Sequence, residues 1–451
     1  MFIEKAGCRW IVAVMIFTNT CINYMMRVNI SVNIVAMVPL TNTTYTQSQV
    51  TFDWTPYQRA NILSGYFWGY LASNWFSGLI AERYGSRIVV FITVTLSSIF
   101  TILSPVAAKH SYELMLVARI AIGFFSGFLF PAMFTLIASW AVPNERGKFL
   151  GSIIGGTIGT FIAWTLCGVI IDVFHWEWGF YTFGIIGLLW CIPWWLLIYN
   201  TPNDHPRISL KEMQYINDGI KGMKKAKPFP PYRRILISRP VWSLLILTFG
   251  TGWGISFVVT AAPSYINSAL GYKISSTGAL SGMIYLCRSM ASFLFGSIGD
   301  ILLKRNILSV PVLRRVATVG SHIIPGCLVL CMVLPGFSPL YYVMVMTLAL
   351  TLNGLVTLSS LANAYDLTSN FVGSITSLTV TLTTLSGILS PYVTAYFTKY
   401  KETYQEAWRP VFYTASLVYI VAGLQFIAMG STKKQDWDKI ESTETKKEIE
   451  L

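Results

Sequence analysis

The sequence predicts an all-α membrane protein with twelve transmembrane helices in two pseudo-symmetric six-helix bundles. Three observations carry that prediction. Of 451 residues, 54% are hydrophobic and only 12% are charged, about half the charge of an ordinary soluble domain. Long apolar runs recur between short breaks, six before and six after one polar segment. A charged, glycine-bearing loop recurs at half-length. At about 20 apolar residues per crossing the composition supports roughly a dozen spans. Soluble enzymes, disordered scaffolds and coiled coils are excluded.

Taken in order, span 1 lies near 9–39. Its apolar run from Ile11 to Val38 has no small-residue cleavage site, which suits a retained helix better than a signal peptide. Spans 2 to 6 lie near 57–81, 87–107, 112–140, 147–174 and 177–199. The polar segment 200–239 follows, with Asp204-His205-Pro206-Arg207, Lys221 to Lys227 and Pro228-Phe229-Pro230-Pro231-Tyr232-Arg233-Arg234. Spans 7 to 12 lie near 240–269, 275–299, 312–334, 340–363, 370–397 and 408–430. The expected organisation is a six-helix bundle over 1–199, a cytosolic linker over 200–239, a second bundle over 240–430 and a cytosolic tail over 431–451. The tail from Lys433 to Leu451 mixes both charge signs and is expected to be solvated and disordered.

The formal net charge of +13 raises the question of nucleic acid, and its placement answers it. The N-terminus, the loops after spans 2, 4, 6 and 8 and the tail hold 24 of the 33 Lys and Arg, against six on the other side. That bias orients both termini and the linker to the cytosol, so lipid rather than nucleic acid is the expected partner. The seven cysteines sit in or beside apolar runs with no C-x-x-C pair, and read as packing residues. Asn42 heads a glycosylation sequon in the loop after span 1, on the non-cytosolic side. No acidic dileucine signal occurs in either terminus, which leans towards the plasma membrane over lysosomal or vesicular membranes. The protein is expected to act as a monomer.

The half-length repeat joins Gly78-Leu79-Ile80-Ala81-Glu82-Arg83-Tyr84-Gly85-Ser86-Arg87 to Gly296-Ser297-Ile298-Gly299-Asp300-Ile301-Leu302-Leu303-Lys304-Arg305. Gly78, Gly85 and Gly296 are expected to let neighbouring helices approach closely. Glu82, Arg83, Arg87, Arg146, Asp300 and Arg305 are expected to form ion pairs at cytosolic helix ends and hold an outward-facing state. The paired strings resemble the loop signature of the major facilitator superfamily, which implies that superfamily's fold.

A census of charge inside the spans points to function. The acidic residues fall in loops, tails or helix ends, and Glu113 and Asp366 come nearest the membrane. His110, His175 and His205 lie in loops and His322 in span 9; all four read as peripheral. Arg27, Arg119 and Arg288 lie inside spans 1, 4 and 8, about 16, 10 and 20 Å from the non-cytosolic ends at 1.5 Å per residue. A mid-span arginine costs at least about 2.5–3.5 kcal/mol and usually faces a cavity. Three positives with no acid at their depth call for a bound anion, held through the bidentate guanidinium fork. The structural alternatives are Arg27 bonding backbone carbonyls or stacking on Tyr24, Arg119 snorkelling to the interface, and Arg288 supporting helix packing. Asn23, Tyr24, Tyr66 and Trp253 are candidate cavity liners because their polar edges suit a wet, partly aromatic pocket. No span offers a nucleophile–base or metal constellation, so an enzyme is not expected, nor a cofactor beyond a coupling sodium ion.

At Asn23-Tyr24-Met25-Met26-Arg27-Val28-Asn29-Ile30-Ser31 the sequence resembles the anion:cation symporter family, the branch of sialin, the type I sodium-dependent phosphate transporters and the vesicular glutamate transporters. The likeness continues through Ile62-Leu63-Ser64, Phe67-Trp68-Gly69-Tyr70, Phe130-Pro131-Ala132 with Trp140 and Glu145-Arg146, then Trp253, Pro263-Ser264-Tyr265, Asn363, Asp366, Gly387 and Pro391. It implies an alternating-access carrier for phosphate or organic anions, with Arg27 and Arg119 contacting substrate. Two departures matter. Ser126 and Phe134 stand where the family often has the Glu and His tied to proton coupling, and Thr251 stands where the glutamate carriers have an arginine. The expected function is therefore a sodium- or potential-driven anion transporter. The alternatives are a proton-coupled organic-anion transporter, which would need a titratable mid-span group, and a non-transporting anion receptor of the same fold.

Overall fold

A computed structural model of the chain describes residues 7–38, 50–220, 230–399 and 404–438. The regular structure among the described residues is entirely helical. Among the described residues eleven helices are long and apolar enough to cross a membrane: α1 Cys8–Met37, α3 Ser86–His110, α4 Tyr112–Trp140, α5 Pro143–Val173, α6 Trp176–Leu197, α7 Arg239–Thr260, α8 Ile274–Lys304, α9 Val310–Cys331, α10 Pro339–Leu367, α11 Val372–Thr398 and α12 Glu406–Met429. The expected twelfth is α2, Pro56–Asn74. It carries Gln58, Arg59, Asn61, Ser64, Tyr66, Tyr70 and Ser73, so its apolar run is weak, and it breaks at Trp75-Phe76 before Ser77–Tyr84 continues it. Thr55 starts α2 with a capping box: its hydroxyl accepts from the Gln58 N–H while the Gln58 side chain accepts from the Thr55 N–H. Gly85, at φ +84°, makes the turn into α3 that an L side chain would strain.

Several spans are interrupted where the site residues sit. α4 is broken between Tyr112–Ser126 and Leu129–Trp140, α9 carries a π-helical turn over Val319–Ile323, and α10 tightens to a 3₁₀ turn over Gly354–Thr357. Helices in a bilayer tolerate such breaks only where other groups satisfy the freed backbone.

The chain divides into two compact units. The first comprises Met1–Lys224, Ser256–Leu286 and Gly387–Val411; the second comprises Lys225–Ile255, Cys287–Ser386 and Phe412–Leu451. The cut passes through α7, α8, α11 and α12 as well as through the polar linker, at Lys224–Lys225. Within the first unit, the ends of α2 and α5 remote from the chain termini are covered by segments of the later helices. The Ser64 hydroxyl donates to the Ile388 carbonyl at 3.0 Å, Arg59 Nη2 donates to Ser264 Oγ at 3.2 Å, and Gly278 lies against the Trp164 backbone.

The polar segments are more ordered than their composition suggests. In the linker, Leu210–Ile220 is helical, and the Glu212 carboxylate accepts the Cys8 and Arg9 N–H groups at 2.9 and 3.1 Å. An anion there satisfies orphan donors of α1 and opposes its dipole. Glu212→Ala is expected to lower stability by about 1 kcal/mol, read as a fall in Tm of the purified chain.

The described start of the tail, up to Asp438, corrects the expectation of a solvated end there. Trp437 is 7% exposed and joins a cluster with Ile235, Val241, Leu244, Leu367, Phe371 and Ile375. Asp438 beside it accepts from the Ser369 and Asn370 N–H groups at 3.0 and 3.1 Å, and from the Thr368 hydroxyl. One indole and one carboxylate dock these first tail residues, because they meet an apolar cluster and backbone donors ahead of α11. Asn42 lies outside the described residues.

Candidate functional site

The site is built where α1, α2 and α4 meet. Gly69 and Gly123 lie backbone to backbone: a Cβ on Gly123 would overlap the Tyr66 carbonyl, and one on Gly69 the Ile120 carbonyl. That approach sets Tyr66 between α1 and α4. Leu63, Tyr66 and Phe67 then share one face of α2 at i, i+3 and i+4 spacing, and line a narrow cavity with Arg27, Arg119 and Thr260.

The two arginines are used differently. Arg27 projects among three rings, its guanidinium carbon 5.2 Å from the Tyr24 centroid, 4.9 Å from Tyr66 and 5.2 Å from Phe67. Such contacts contribute roughly 0.5–2 kcal/mol each and engage the face of the guanidinium, not its N–H edge. Among the described residues the Arg27 side chain makes no hydrogen bond, and its Nε is buried without a partner. Arg119 is 1% exposed and donates to the Met26 and Arg27 carbonyls at 3.4 and 2.9 Å. It braces the turn that carries Arg27 and lies 5.9 Å from the Tyr66 centroid. The stacking alternative thus describes part of what Arg27 does, and Arg119 bonds to backbone instead of snorkelling. Two cations share one ring with no carboxylate in the cavity wall. At low dielectric that repulsion is large, and an anion against the free edge of Arg27 relieves it.

The polar wall completes the site. Asn23 Nδ2 donates to Ser126 Oγ at 3.1 Å. Asn23, Tyr24, Arg27, Tyr66 and Arg119 are therefore brought together. Ser126 joins this wall, and Phe134 is exposed beside Phe130. Trp253 and Arg288 belong to the second unit. Trp253 packs on Phe249, and Arg288 Nε donates to Asn353 Oδ1 at 3.1 Å.

Three readings of the sequence need correction. His322 is not peripheral: it sits in the middle of α9 with no exposed surface. Gly78 faces open space, and a Cβ on Gly296 would meet Thr357 only at an ordinary 3.5 Å, so neither marks a close approach. In this conformation the charges beside them are spread apart: Glu82, Arg83, Asp300 and Arg305 are exposed and make no ion pair among the described residues. Arg9–Glu145 at 3.3 Å and Arg314–Asp366 at 2.8 Å are ion pairs that do form. Arg87 instead donates to the Trp195 carbonyl and stacks 4.4 and 4.3 Å from the Trp195 and Tyr199 centroids.

Comparison with known proteins adds to this geometry. The family profile described as Major Facilitator Superfamily matches residues 16–391. The Caenorhabditis elegans "Uncharacterized transporter slc-17.2" is 30% identical over 97% of this chain and 94% of its own length. A putative inorganic phosphate cotransporter of Drosophila ananassae is 28% identical over 97% and 95%, and vesicular glutamate transporter 3 of Danio rerio is 29% identical over 97% and 76%. Among solved structures, a bacterial homologue of the human lysosomal transporter Spinster, inward-facing and unoccupied, aligns with a TM-score of 0.73 at 14% identity, over 94% of this chain and 97% of that one. At that identity the likeness concerns the fold alone.

Proposed function

Because the chain belongs to the Major Facilitator Superfamily, in the branch of the phosphate cotransporters and vesicular glutamate transporters, we propose that it is a secondary active transporter of small anions working by alternating access. The observation that carries the substrate class is Arg27: a cation stacked on three rings, its N–H edge unspent, beside a second arginine and no acid. The guanidinium fork matches a carboxylate or phosphate, and Tyr66, Asn23 and Ser126 supply neutral hydrogen-bonding groups around it. Relatives that cover the whole chain are named as transporters of phosphate or glutamate, which favours flux over a receptor of the same fold.

The bilayer is the chain's surroundings, with both termini on the cytosolic side by the distribution of Lys and Arg. The plasma membrane is the proposed residence, and the single chain is the proposed working unit. In the outward-facing state the contacts made by Arg59 and Ser64 open, while Glu82, Arg83, Arg87, Arg146, Asp300 and Arg305 are proposed to pair at the cytosolic ends.

Reconstituted protein tested with labelled phosphate, glutamate and a monocarboxylate, under separate sodium, proton and potential gradients, should accumulate at least one anion saturably. Failure with all three under every gradient would sink the reading.

A further inference from the structure

We propose that His322 is a proton-binding site of the transport cycle, carrying one proton with each anion; this rests on the transport reading above. The cavity around Arg27 is lined by no acid or histidine. His322 is buried midway along α9, and an ionisable side chain inside the membrane is a functional-site hypothesis by default. It sits in a π-helical turn, a distortion that recurs at functional sites.

The hydrogen bonds around the ring suit both protonation states. Nε2 lies 3.1 Å from the Leu247 carbonyl, which can only accept, so Nε2 carries a hydrogen. Thr251 Oγ1, also 3.1 Å away, accepts as well and donates its own hydrogen to the Leu247 carbonyl. Nδ1 lies 2.8 Å from Ser321 Oγ. In the neutral ring Nδ1 accepts from that hydroxyl. In the imidazolium Nδ1–H donates to it, and the Ser321 hydroxyl turns to Ser359 Oγ at 3.3 Å or the Thr318 carbonyl at 3.5 Å. One hydroxyl rotation accommodates the proton, with no heavy atom displaced.

The groups facing the ring can be named element by element. From α7 come Leu247 and Thr251 and from α10 Ser359, none of them titratable in this range. Tyr419 of α12 lies edge-on at 5.7 Å. The positive charge is Arg288 of α8, joined through Asn353, which accepts from Arg288 Nε at 3.1 Å and donates to the Ser321 carbonyl at 3.0 Å. Pro325 leaves that carbonyl free, because proline has no N–H to return to the residue four before it. A movement of Arg288 is thus passed to the turn that holds the proton.

The test uses the full chain in proteoliposomes with labelled phosphate and labelled glutamate. External pH is fixed so that phosphate speciation outside is constant, and the membrane potential is clamped at zero. An inward proton gradient should stimulate net wild-type uptake several-fold. His322→Gln should lose that stimulation yet still exchange labelled for unlabelled anion at equal pH, and Ser321→Ala should weaken the stimulation. Full stimulation in His322→Gln would overturn the proposal. So would a wild type that exchanges anion but ignores the gradient. Joint loss of exchange and stimulation in both His322→Gln and His322→Asn would make the residue structural and overturn it too. A wild type that exchanges neither anion would instead fail the transport reading, and this proposal with it.

Discussion

Arg27→Gln is expected to lower anion uptake by one to two orders of magnitude while leaving expression and Tm near wild type. Charge-assisted hydrogen bonds contribute roughly 1.5–3 kcal/mol, and each 1.4 kcal/mol is tenfold in affinity. Stability should survive because the stacking lost on Tyr24, Tyr66 and Phe67 is offset by removing a buried cation that repels Arg119 and makes no hydrogen bond among the described residues. Arg27→Lys keeps the charge but not the fork or the flat face, and should fall between the two. Initial rates in proteoliposomes, normalised to reconstituted protein, check this. Near-normal uptake by Arg27→Gln would show that the cavity cation is not the substrate anchor.

Trp437→Ala is expected to cost about 3 kcal/mol, at the low end for truncating a buried tryptophan, because it removes the indole packed against Phe371 and Ile235. Scanning calorimetry of the purified chain should show a clear fall in Tm, and an unchanged Tm would mean that the tail is not docked in solution. Asp438 adds a pH signature. Burial pushes its carboxyl up, but hydrogen bonds from Thr368, Ser369 and Asn370, with Lys434 nearby, outweigh burial and hold it below the usual carboxylate range. A depressed folded-state pKa gives stabilisation that is complete above the ordinary value of about 4 and lost as pH falls through the folded value. The Tm advantage of wild type over Asp438→Asn should therefore be flat near neutral pH and shrink in acid.

What could be read from the sequence follows from what the bilayer demands. A span needs about 20 apolar residues, so span edges fall within a few residues of the helices even where a helix is broken, as in α4. Arg27 and Arg119 were legible because an unpaired mid-span arginine is costly. Their different jobs were not, since only the crossing of α1, α2 and α4 shows which one meets backbone carbonyls. His322 was misjudged although its signal was present: it lies near the centre of span 9, and counting residues from both ends would have placed it at mid-membrane. Gly78 and Gly296 match a sequence pattern whose packing purpose is not exercised in this conformation. Docking of Trp437 depends on an apolar cluster assembled from Ile235, Leu244 and Phe371, far apart in sequence, which composition cannot reveal.

The central claim is an anion site, anchored by Arg27, that opens alternately to each side. Counterflow tests it most directly. Proteoliposomes loaded with unlabelled substrate anion are diluted into a trace of labelled anion with no ion gradient. The account predicts transient accumulation of label above equilibrium in wild type and its loss in Arg27→Gln. Label that enters only to equilibrium at the same rate with or without internal anion, or that overshoots equally in Arg27→Gln, would contradict it.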